Sequence, residues 1–380
     1  MRITILQGAF LPVPPLRGGA VEKLWFELGK QFSLKGHSVC HISRKFPGLP
    51  SEEIIEGVLH RRIGGHDTPS NTLLLKALDL LYSWQAMQLL PSAEILITNT
   101  FWMPVLARRR QKELGQIVVD VQRMPKGQMR LYRQAACLRA NSSAVESAIT
   151  QEAPELRLRI RTIPNPLPYQ PSTMSQNERE NKILYCGRMH PEKGISLLIE
   201  AFSMACESGL SGWNLELVGP ADIAAGGGGE QWLKELLTQP HAKGWPIKWV
   251  GPIYDEYKLQ QRYQKAAIFV YPSLAERGET FGLAPLEAMA SGAVPIVSDL
   301  SCFRDFINPG ENGQVFNHRA ENASSLLAES FLSLANDANR RESMSQAALR
   351  VCDSHDPARI ADSFLGCFEE LIGKAKNATK

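Results

Sequence analysis

Two cations lie close together in the segment ILYCGRMHPEKGISLLIEAF, residues 183–202. An apolar strand pattern ends at Gly187 and a helical pattern begins just after Gly194, so Arg188 and Lys193 belong to a strand-to-helix loop. Two cations near a helix N-terminus are unfavourable, because that end of the helix dipole is already positive, unless an anion binds there. A diphosphate would supply the anion, with the arginine as a planar fork and the lysine as a mobile charge. The alternative is a pair of solvated surface cations.

A second segment, residues 275–299, reads AERGETFGLAPLEAMASGAVPIVSD and lies between two strand patterns. Pro285 suits the first position of a helix and Gly292 suits the residue just past its end. The spacing therefore predicts a short helix over residues 286–291, with Glu287 in its first turn.

Two glutamates surround the glycine-containing turn of this second segment. Glu279 precedes the predicted helix, and seven residues separate it from Glu287. Gly282 lets the backbone approach a ligand closely, so the amides of Phe281, Gly282 and Leu283 could point at phosphate or sugar oxygens. A lone carboxylate in a first helical turn needs no ligand, because it is a favourable partner of the helix dipole. The pair together favours a site for sugar and ribose hydroxyl groups.

The whole chain must position these residues, and its 380 residues exceed one ordinary core. Strand and helix patterns alternate in both halves, which predicts an α/β protein of two Rossmann-like domains that face each other across a cleft. A proline-rich and then polar stretch sets the boundary near residues 171–181. We expect an N-terminal domain over residues 1–172, a C-terminal domain over residues 173–360, and a last helix of about 360–380 that packs back on the first domain.

The two segments closely resemble the donor-binding signature of glycosyltransferase family 4, whose members are retaining GT-B enzymes of group 1. The N-terminal RGGAVEKLWFELGKQFSLKGHSV resembles the opening segment of the same family. The resemblance implies that Arg188 and Lys193 grip the donor diphosphate and that Glu279 lies beside the transferred sugar. It implies that Glu287 holds the ribose. Further donor contacts are implied for Gly18, Gly19, Thr280, Phe281, Gly282 and Leu283.

The chain departs from the family pattern after the strand IVVDV. The family commonly has a histidine near the donor sugar at this point, and Gln122 takes its place here. A glutamine still donates and accepts hydrogen bonds, but it does not carry a proton as imidazole does. We therefore expect a sugar contact at Gln122 without an acid–base role.

The resemblance implies a reaction that needs neither a protein nucleophile nor a cofactor. The sequence contains no DxD pair, which predicts a transferase without a metal ion. The preferred substrates are glucose from UDP-glucose and a polysaccharide or polyprenyl-linked acceptor in envelope or exopolysaccharide synthesis. GDP-mannose and UDP-galactose remain alternative donors, and an inactive sugar-binding subunit is the non-enzymatic alternative. Neither half has a GxGxxG after its first strand, which argues against an NAD-dependent oxidoreductase.

Positive charge is concentrated in residues 100–140, which contain nine Arg and Lys against one Glu and one Asp, a net charge of +7 in a chain of net +3. The stretch RMPKGQMRLYRQAACLR suits a helix on an anionic bilayer, so residues near 108–139 predict a peripheral membrane contact. The alternative is an amphipathic helix that packs on its own sheet. No nucleic-acid-binding motif accompanies this charge.

Seven cysteines are scattered without a CxxC pair, which is typical of reduced thiols. No apolar run approaches the length of a membrane span, and the N-terminal MRITILQ reads as a strand. We therefore predict a cytoplasmic protein, with the inner face of the plasma membrane as its contact surface.

Overall fold

A computed structural model describes residues 1–69, 71–169 and 179–378. They form two compact units: unit 1 comprises Met1–Tyr169 together with the segment that begins at His355, and unit 2 ends at Ser354. The boundary expected between residues 172 and 173 falls within 170–178, which lie outside the described residues.

Unit 1 contains an eight-stranded sheet in which only the edge strand β3 runs antiparallel to its neighbour. Its strands are β1 (Arg2–Leu6), β2 (Ser38–Arg44), β3 (Glu52–Ile55), β4 (Val58–Ile63), β5 (Ile95–Thr98), β6 (Gln116–Val121), β7 (Cys137–Ala140) and β8 (Ile160–Thr162). The order across the sheet is β3-β4-β2-β1-β5-β6-β7-β8. The chain therefore builds in one direction from β1 and then crosses to β5 to build in the other.

Helices cover both faces of this sheet, as a parallel sheet requires. They are α1 (Ala20–Leu34), α2 (Thr72–Leu89), α3 (Met103–Leu106), α4 (Gln111–Leu114) and α5 (Ser143–Glu152). Strand residues alternate between the two layers: Ile117 and Val119 pack in the core with α2 and α5, whereas Val118 packs in the core with α1.

Unit 2 contains a six-stranded sheet whose strand pairs are all parallel. Its strands are β9 (Glu180–Cys186), β10 (Asn214–Val218), β11 (Ile247–Gly251), β12 (Ala266–Tyr271), β13 (Val294–Ser298) and β14 (Gln314–Phe316). The order is β11-β10-β9-β12-β13-β14, so the two directions of winding diverge between β9 and β12. In open α/β sheets, ligands bind outside the carboxyl ends of the strands at such a switch point.

Seven helices belong to unit 2 within its described part. They are α6 (Ile195–Glu207), α7 (Glu230–Ala242), α8 (Glu256–Lys265), α9 (Leu283–Ala290), α10 (Ala323–Asn336), α11 (Ala338–Ala348) and α12 (Val351–Ser354). The helix predicted after Gly194 is confirmed as α6. The bounds predicted for α9 were wrong, because this helix begins at Leu283 rather than at residue 286. Pro285 is tolerated inside the first turn, where backbone amides have no intrahelical acceptor. Glu287 consequently lies in the second turn.

The last helix, α13 (Pro357–Ala378), belongs to unit 1. It packs against α1, and Phe364 makes edge-on ring contacts with Trp25 at 5.3 Å and with Phe32 at 6.3 Å between centroids. The last helix expected at about 360–380 corresponds to α13. Residues 379 and 380 lie outside the described part.

The basic stretch of residues 123–139 is not a helix, so both helical interpretations of it were wrong. It forms a loop, a 3₁₀ turn at Met129–Tyr132 and strand β7. Pro125 and Gly127, which has a φ of 94°, prevent a continuous helix here. Arg139 is buried in β7, where its Nη1 donates to Asp120 at 2.7 Å.

Within the described residues, no helix combines the length and the apolar character needed to cross a membrane.

Candidate functional site

Lys193 and Glu279 form a buried ion pair at the switch point of the unit 2 sheet. The two residues are 86 positions apart, and Lys193 Nζ contacts Glu279 Oε1, with each side chain only 9% exposed. Lys193 ends the loop after β9, and Glu279 lies in the loop after β12. Because β9 and β12 are neighbours in the sheet, the fold brings together the two segments that the sequence singled out.

Two further side chains fix the Glu279 carboxylate. Tyr271 donates from its hydroxyl to Oε1 at 3.1 Å, and Ser273 donates from Oγ to the same oxygen at 3.0 Å. Burial raises the pKa of Tyr271 well above its ordinary value, and the charge of Glu279 adds to the effect. Neither residue was predicted from the sequence, although the YPS run at residues 271–273, which begins with the last residue of β12, places a tyrosine and a serine at the carboxyl edge of the sheet.

Stacked tyrosines support the loop that carries Arg188. The rings of Tyr185 and Tyr271 are 5.7 Å apart and within 9° of parallel. The Tyr185 hydroxyl donates to the backbone carbonyl of Arg188 at 3.0 Å. One aromatic layer thus connects the backbone at Arg188 with the hydroxyl that fixes Glu279.

Arg188 lies at the exposed rim of the same loop, with its side chain 43% exposed. Its Nη1 donates to the carbonyl of Gly226 at 2.8 Å, and its Nη2 donates to Glu192 Oε1 at 2.7 Å. The amide of Gly228 donates to the carbonyl of Met189 at 2.7 Å. A glycine-rich segment therefore packs directly on the loop that holds the two predicted phosphate ligands.

A glycine allows the loop that carries Lys193 to pack closely against the chain that follows β12. Gly194 has a φ of 71°, and a Cβ atom there would lie 2.0 Å from the carbonyl oxygen of Pro272. The preceding 3₁₀ turn, Pro191–Lys193, is capped by His190, whose ring accepts from the Glu192 amide at 3.3 Å. The turn and the following α6 can approach β12 this closely only because residue 194 lacks a side chain.

The start of α9 carries the predicted backbone contacts. Gly282 precedes the helix with a φ of 95°, and a Cβ atom there would lie 2.5 Å from the Phe303 ring. Phe281 is buried, whereas Thr280 and Leu283 are half-buried. The first intrahelical bond runs from the Leu286 amide to the Gly282 carbonyl at 3.2 Å. The amides at 282 and 283 thus belong to the first turn, where the helix offers them no acceptor.

Glu287 is 4% exposed and lies in the second turn of α9. The hydroxyl of Tyr263, from α8, donates to its Oε2 at 3.1 Å. A solvated carboxylate that only complements the helix dipole would need neither this burial nor this partner. The structure therefore disfavours the simple dipole explanation of Glu287.

A cavity of about 300 Å³ opens beside Glu279. Besides Glu279, its charged lining consists of Glu276, Asp299, Arg304 and Arg319. Arg319 Nη2 donates to Glu276 at 2.8 Å, and Arg304 Nε donates to Asp299 at 3.2 Å. The cavity is therefore polar and offers both hydrogen-bond donors and acceptors, as a hydroxyl-rich ligand requires.

In unit 1, the predicted glycines lie directly before α1. Gly18 has a φ of 73° with open space beyond it, and Gly19 has a φ of 100°. A Cβ atom on Gly19 would lie 2.2 Å from Glu22 Oε2, because this carboxyl group folds back over the glycine. Burial raises the pKa of Glu22 from 4.5 to about 7. Glu22 was not among the residues predicted from the sequence.

Gln122 follows β6 and belongs to a polar network at the carboxyl edge of the unit 1 sheet. Its Nε2 donates to Asp120 Oδ2 at 2.9 Å, and its Oε1 accepts from Asn141 Nδ2 at 3.1 Å. Asp120 also accepts from Trp25 Nε1 and from Arg139 Nη1, both at 2.7 Å. Both polar ends of the Gln122 amide thus have partners inside unit 1.

The seven cysteines are free thiols. Within the described residues, no three His, Cys, Asp or Glu side chains converge as metal ligands would.

The family model described as glycosyl transferases group 1 matches residues 171–351. This match covers most of unit 2, including Arg188, Lys193, Glu279 and Glu287. The chain is 26% identical over 190 residues to a phosphatidyl-myo-inositol mannosyltransferase of Mycobacterium leprae, which is 50% of this chain and 46% of that protein. The chain thus spans about half the length of that relative.

A match over nearly the whole chain is found with spore coat protein SA of Bacillus subtilis. The two are 23% identical over 407 residues, which cover 97% of this chain and 100% of that protein.

Solved structures share the fold of the whole chain. Sucrose-phosphate synthase of Thermosynechococcus elongatus has a TM-score of 0.77 at 20% identity, over 98% of this chain and 100% of that one. Anabaena HepE in complex with UDP and glucose has a TM-score of 0.72 at 18% identity, over 97% and 100%. At these identities the likeness shows the fold alone, and the predicted fold, two Rossmann-like units of the GT-B type, is confirmed.

Proposed function

We propose that the chain is a retaining hexosyltransferase of the group 1 glycosyltransferases, which its family match over residues 171–351 and its GT-B fold support. Its substrates are a nucleotide-sugar donor, preferentially UDP-glucose, and a polysaccharide or polyprenyl-linked acceptor in envelope or exopolysaccharide synthesis. The observation that carries the proposal is the buried Lys193–Glu279 pair at the unit 2 switch point, with Arg188 on the same loop.

Arg188 and Lys193 hold the donor diphosphate in this proposal. When the bond from the anomeric carbon to the phosphate oxygen breaks, its electron pair stays on the diphosphate, and the two cations stabilise the added negative charge. A lysine ammonium has three N–H donors. Lys193 gives one to Glu279 and keeps the others for phosphate oxygens. The acceptor hydroxyl attacks from the side of the departing diphosphate and gives that group its proton, so the anomeric configuration is retained.

The remaining proposed contacts bind the sugar and the ribose of the donor. Glu279 and the polar cavity beside it serve the sugar hydroxyls, while Glu287 serves the ribose. Gly18, Gly19 and Gln122 are the proposed contacts from unit 1. The two cations neutralise the diphosphate without a metal ion, and the absence of a DxD pair supports this part of the proposal.

Similar proteins support two different donors, UDP-glucose and GDP-mannose. HepE, which has the same fold, is described with UDP and glucose bound, and this supports UDP-glucose. Relatives described as GDP-mannose-dependent, 27% identical over 139 residues, support GDP-mannose instead. UDP-galactose is a third donor of the same chemical class, and an inactive sugar-binding subunit is the alternative outside catalysis.

The proposed location is the cytoplasm, at the inner face of the plasma membrane, where a polyprenyl-linked acceptor would present its sugar. Residues near 108–139 are the proposed peripheral contact. Arg108, Arg109 and Lys112 support it, because all three are exposed and form no ion pair with any other described residue.

A thermal-shift series with UDP, GDP and their hexose conjugates, in the presence of EDTA, tests donor binding, since a ligand that prefers the native state raises its melting temperature. Transfer of radiolabelled hexose to a membrane extract then tests catalysis. We expect UDP and UDP-glucose to stabilise the chain and UDP-glucose to be consumed. Stabilisation by GDP-mannose alone would reassign the donor. Donor binding without turnover would favour the inactive subunit.

Glu287→Gln provides a second readout of the site. The substitution keeps the shape but removes the charge, so the Michaelis constant for the donor should rise while turnover at saturation stays near that of the wild type. An unchanged Michaelis constant would remove Glu287 from the donor site.

A further inference from the structure

One helix of unit 1 exposes an unusual amount of apolar surface. Six of the fifteen large hydrophobic side chains that are exposed in the described chain belong to the 18-residue helix α2. They are Leu73, Leu74, Leu80, Leu81, Trp84 and Leu89. Exposed apolar residues are ordinary when scattered singly, but a contiguous patch marks an interaction surface.

The exposed residues of α2 share one side of the helix. Leu73, Leu80 and Trp84 follow one another at spacings of seven and four, which places them on one stripe, and Leu81 lies beside it. Their exposed fractions are 78%, 39%, 59% and 54%. The opposite side packs into the core through Tyr82, Ser83, Ala86 and Met87. The apolar stripe therefore lies on the side of α2 that faces away from the core of unit 1.

The charge on this surface has one sign. Lys76 and Asp79 are the charged residues of α2, and Asp79 is buried at 4% exposure while Lys76 is exposed. The Asp79 carboxylate faces inward and accepts from the Trp102 amide at 3.0 Å. The exposed stripe consequently carries no acidic side chain.

A basic cluster adjoins the C-terminal end of α2. Arg110 donates to the carbonyls of Met87 and Leu90, which fixes the segment 107–114 against that end of the helix. Arg108, Arg109 and Lys112 of this segment are exposed, and its one carboxylate, that of Glu113, is paired with Arg110 at 2.6 Å. Exposed cations thus lie in the segment that packs against the C-terminal end of the apolar helix.

We propose that this surface of α2, together with Arg108, Arg109 and Lys112, is the membrane-binding face of the protein and that its partner is an anionic lipid bilayer. The leucines and Trp84 enter the boundary between headgroups and acyl chains, where a tryptophan is favourable, and the cations contact the headgroup phosphates. This face rests on the peripheral contact proposed for residues 108–139 and centres that contact on α2, a helix outside that range.

A second copy of the chain fits this surface less well. A symmetric contact would bring the same cations of both copies together, and the exposed side of α2 has no carboxylate to pair with them. An anionic bilayer supplies both an apolar layer and the negative charge.

Flotation of the full chain with vesicles tests the proposal. Phosphatidylcholine vesicles with about 30% phosphatidylglycerol should carry the protein, and pure phosphatidylcholine vesicles should carry less, because the anionic surface attracts the cations. Leu81→Ser/Trp84→Ser should lower the vesicle partition coefficient roughly a hundredfold, since each of the two apolar side chains contributes a factor of about ten. Arg108→Glu/Arg109→Glu should remove the preference for anionic lipid.

Ile223→Ser/Tyr257→Ser is the matched control, because these side chains are 74% and 70% exposed but belong to unit 2. This variant should bind vesicles as the wild type does. Quenching of tryptophan fluorescence by lipids brominated in the acyl chain reports how deeply the indole enters the bilayer. Trp84→Phe should reduce this quenching.

Equal vesicle binding by the wild type and Leu81→Ser/Trp84→Ser would overturn the proposal, and so would an absence of wild-type binding. A dimer in sedimentation that Leu81→Ser/Trp84→Ser dissociates, without vesicle binding, would assign the surface to a second copy. Donor turnover is measured separately with soluble UDP-glucose. Failure of turnover with intact vesicle binding would remove the transferase proposal and leave the membrane face in place.

Discussion

Lys193 pairs with Glu279 within the protein and is also the proposed ligand of the donor diphosphate. The contact is buried on both sides and is reinforced by hydroxyl groups from Tyr271 and Ser273. Removing one partner of a buried pair leaves an uncompensated charge, which is far more unfavourable than removing both. The role of Lys193 in stability and its role in chemistry therefore have to be measured apart.

Lys193→Ala should lower transfer by a hundredfold or more, on the order expected for the loss of one aimed donor. The same change should lower the free energy of unfolding by about 3 kcal/mol, because Glu279 stays buried without its partner. Lys193→Ala/Glu279→Gln should recover part of that stability and none of the activity. Denaturant unfolding and donor turnover, measured on both variants, separate the two effects. Wild-type turnover in Lys193→Ala would contradict the site.

Glu22 makes the free energy of unfolding depend on pH. Burial raises its pKa to about 7 in the folded chain, so the folded chain holds this proton more tightly than the unfolded chain does. The resulting stabilisation is complete below pH 4.5, the ordinary value, and is lost as the pH rises through 7. The free energy of unfolding should therefore fall by about 3 kcal/mol from the acid to the alkaline end of this range.

Glu22→Gln should therefore flatten the stability of the chain between pH 4.5 and 7, as followed by denaturant unfolding across that range. Asp79 is a useful companion, since burial raises its pKa from 3.8 to about 6. Asp79→Asn should flatten a lower window, between pH 3.8 and 6. A wild-type slope in Glu22→Gln would show that the carboxyl group titrates normally in the folded chain.

At the scale of single elements, α6 is held between two glycines with different surroundings. Gly194 precedes the helix and Gly209 follows it, and both have positive φ values, of 71° and 97°. Only Gly194 faces an obstacle, the carbonyl oxygen of Pro272, whereas no atom lies within 4 Å of a Cβ at Gly209. The close approach of α6 to β12 depends on the first of them.

Gly194→Ala should destabilise unit 2 and displace the Arg188–Lys193 loop, so both the melting temperature and the donor affinity should fall. Gly209→Ala has the same backbone strain without the clash and should lower stability by about 1 kcal/mol with donor affinity unchanged. Calorimetry and donor titration on the two variants compare them directly. Equal effects on donor affinity would mean that the clash with Pro272 does not set the position of the loop.

At the scale of the whole molecule, unit 1 is discontinuous in sequence. The chain completes unit 2 at Ser354 and returns to unit 1 as α13, which supplies Ile360, Phe364 and Phe368 to the core around α1. The guanidinium of the buried Arg139 lies 5.3 Å above the Phe364 ring. The C-terminal segment is thus a structural part of the unit that begins at the N-terminus.

Phe364→Ala should lower the free energy of unfolding of unit 1 by about 3 to 5 kcal/mol, as expected for a large buried aromatic ring. Hydrogen–deuterium exchange should then increase in α1 and α13 and stay unchanged in α6 and α10. Glu369→Ala, an exposed position of the same helix, is the control and should leave exchange in both units unaltered. Increased exchange throughout unit 2 would contradict the division into two units.

Local patterns were enough to predict several features of this chain. The strand-to-helix loop of Arg188 and Lys193 and the glycine before α6 follow from hydrophobic periodicity and helix-end residues. These signals act within a few residues, so they survive without tertiary context. The bounds of α9 were less predictable, because Pro285 is acceptable at more than one position of a first turn.

Only the tertiary structure decided which residues meet. The contact between Lys193 and Glu279, and the support from Tyr271, depend on β9 and β12 being neighbours, which is a property of strand order and not of local sequence. The basic stretch shows the same limit, since strand β7, in which Arg139 is buried against Asp120, lies where the sequence predicted a helix. The apolar pattern of α2 likewise predicts a helix, but which of its sides the core covers is decided by the packing around it.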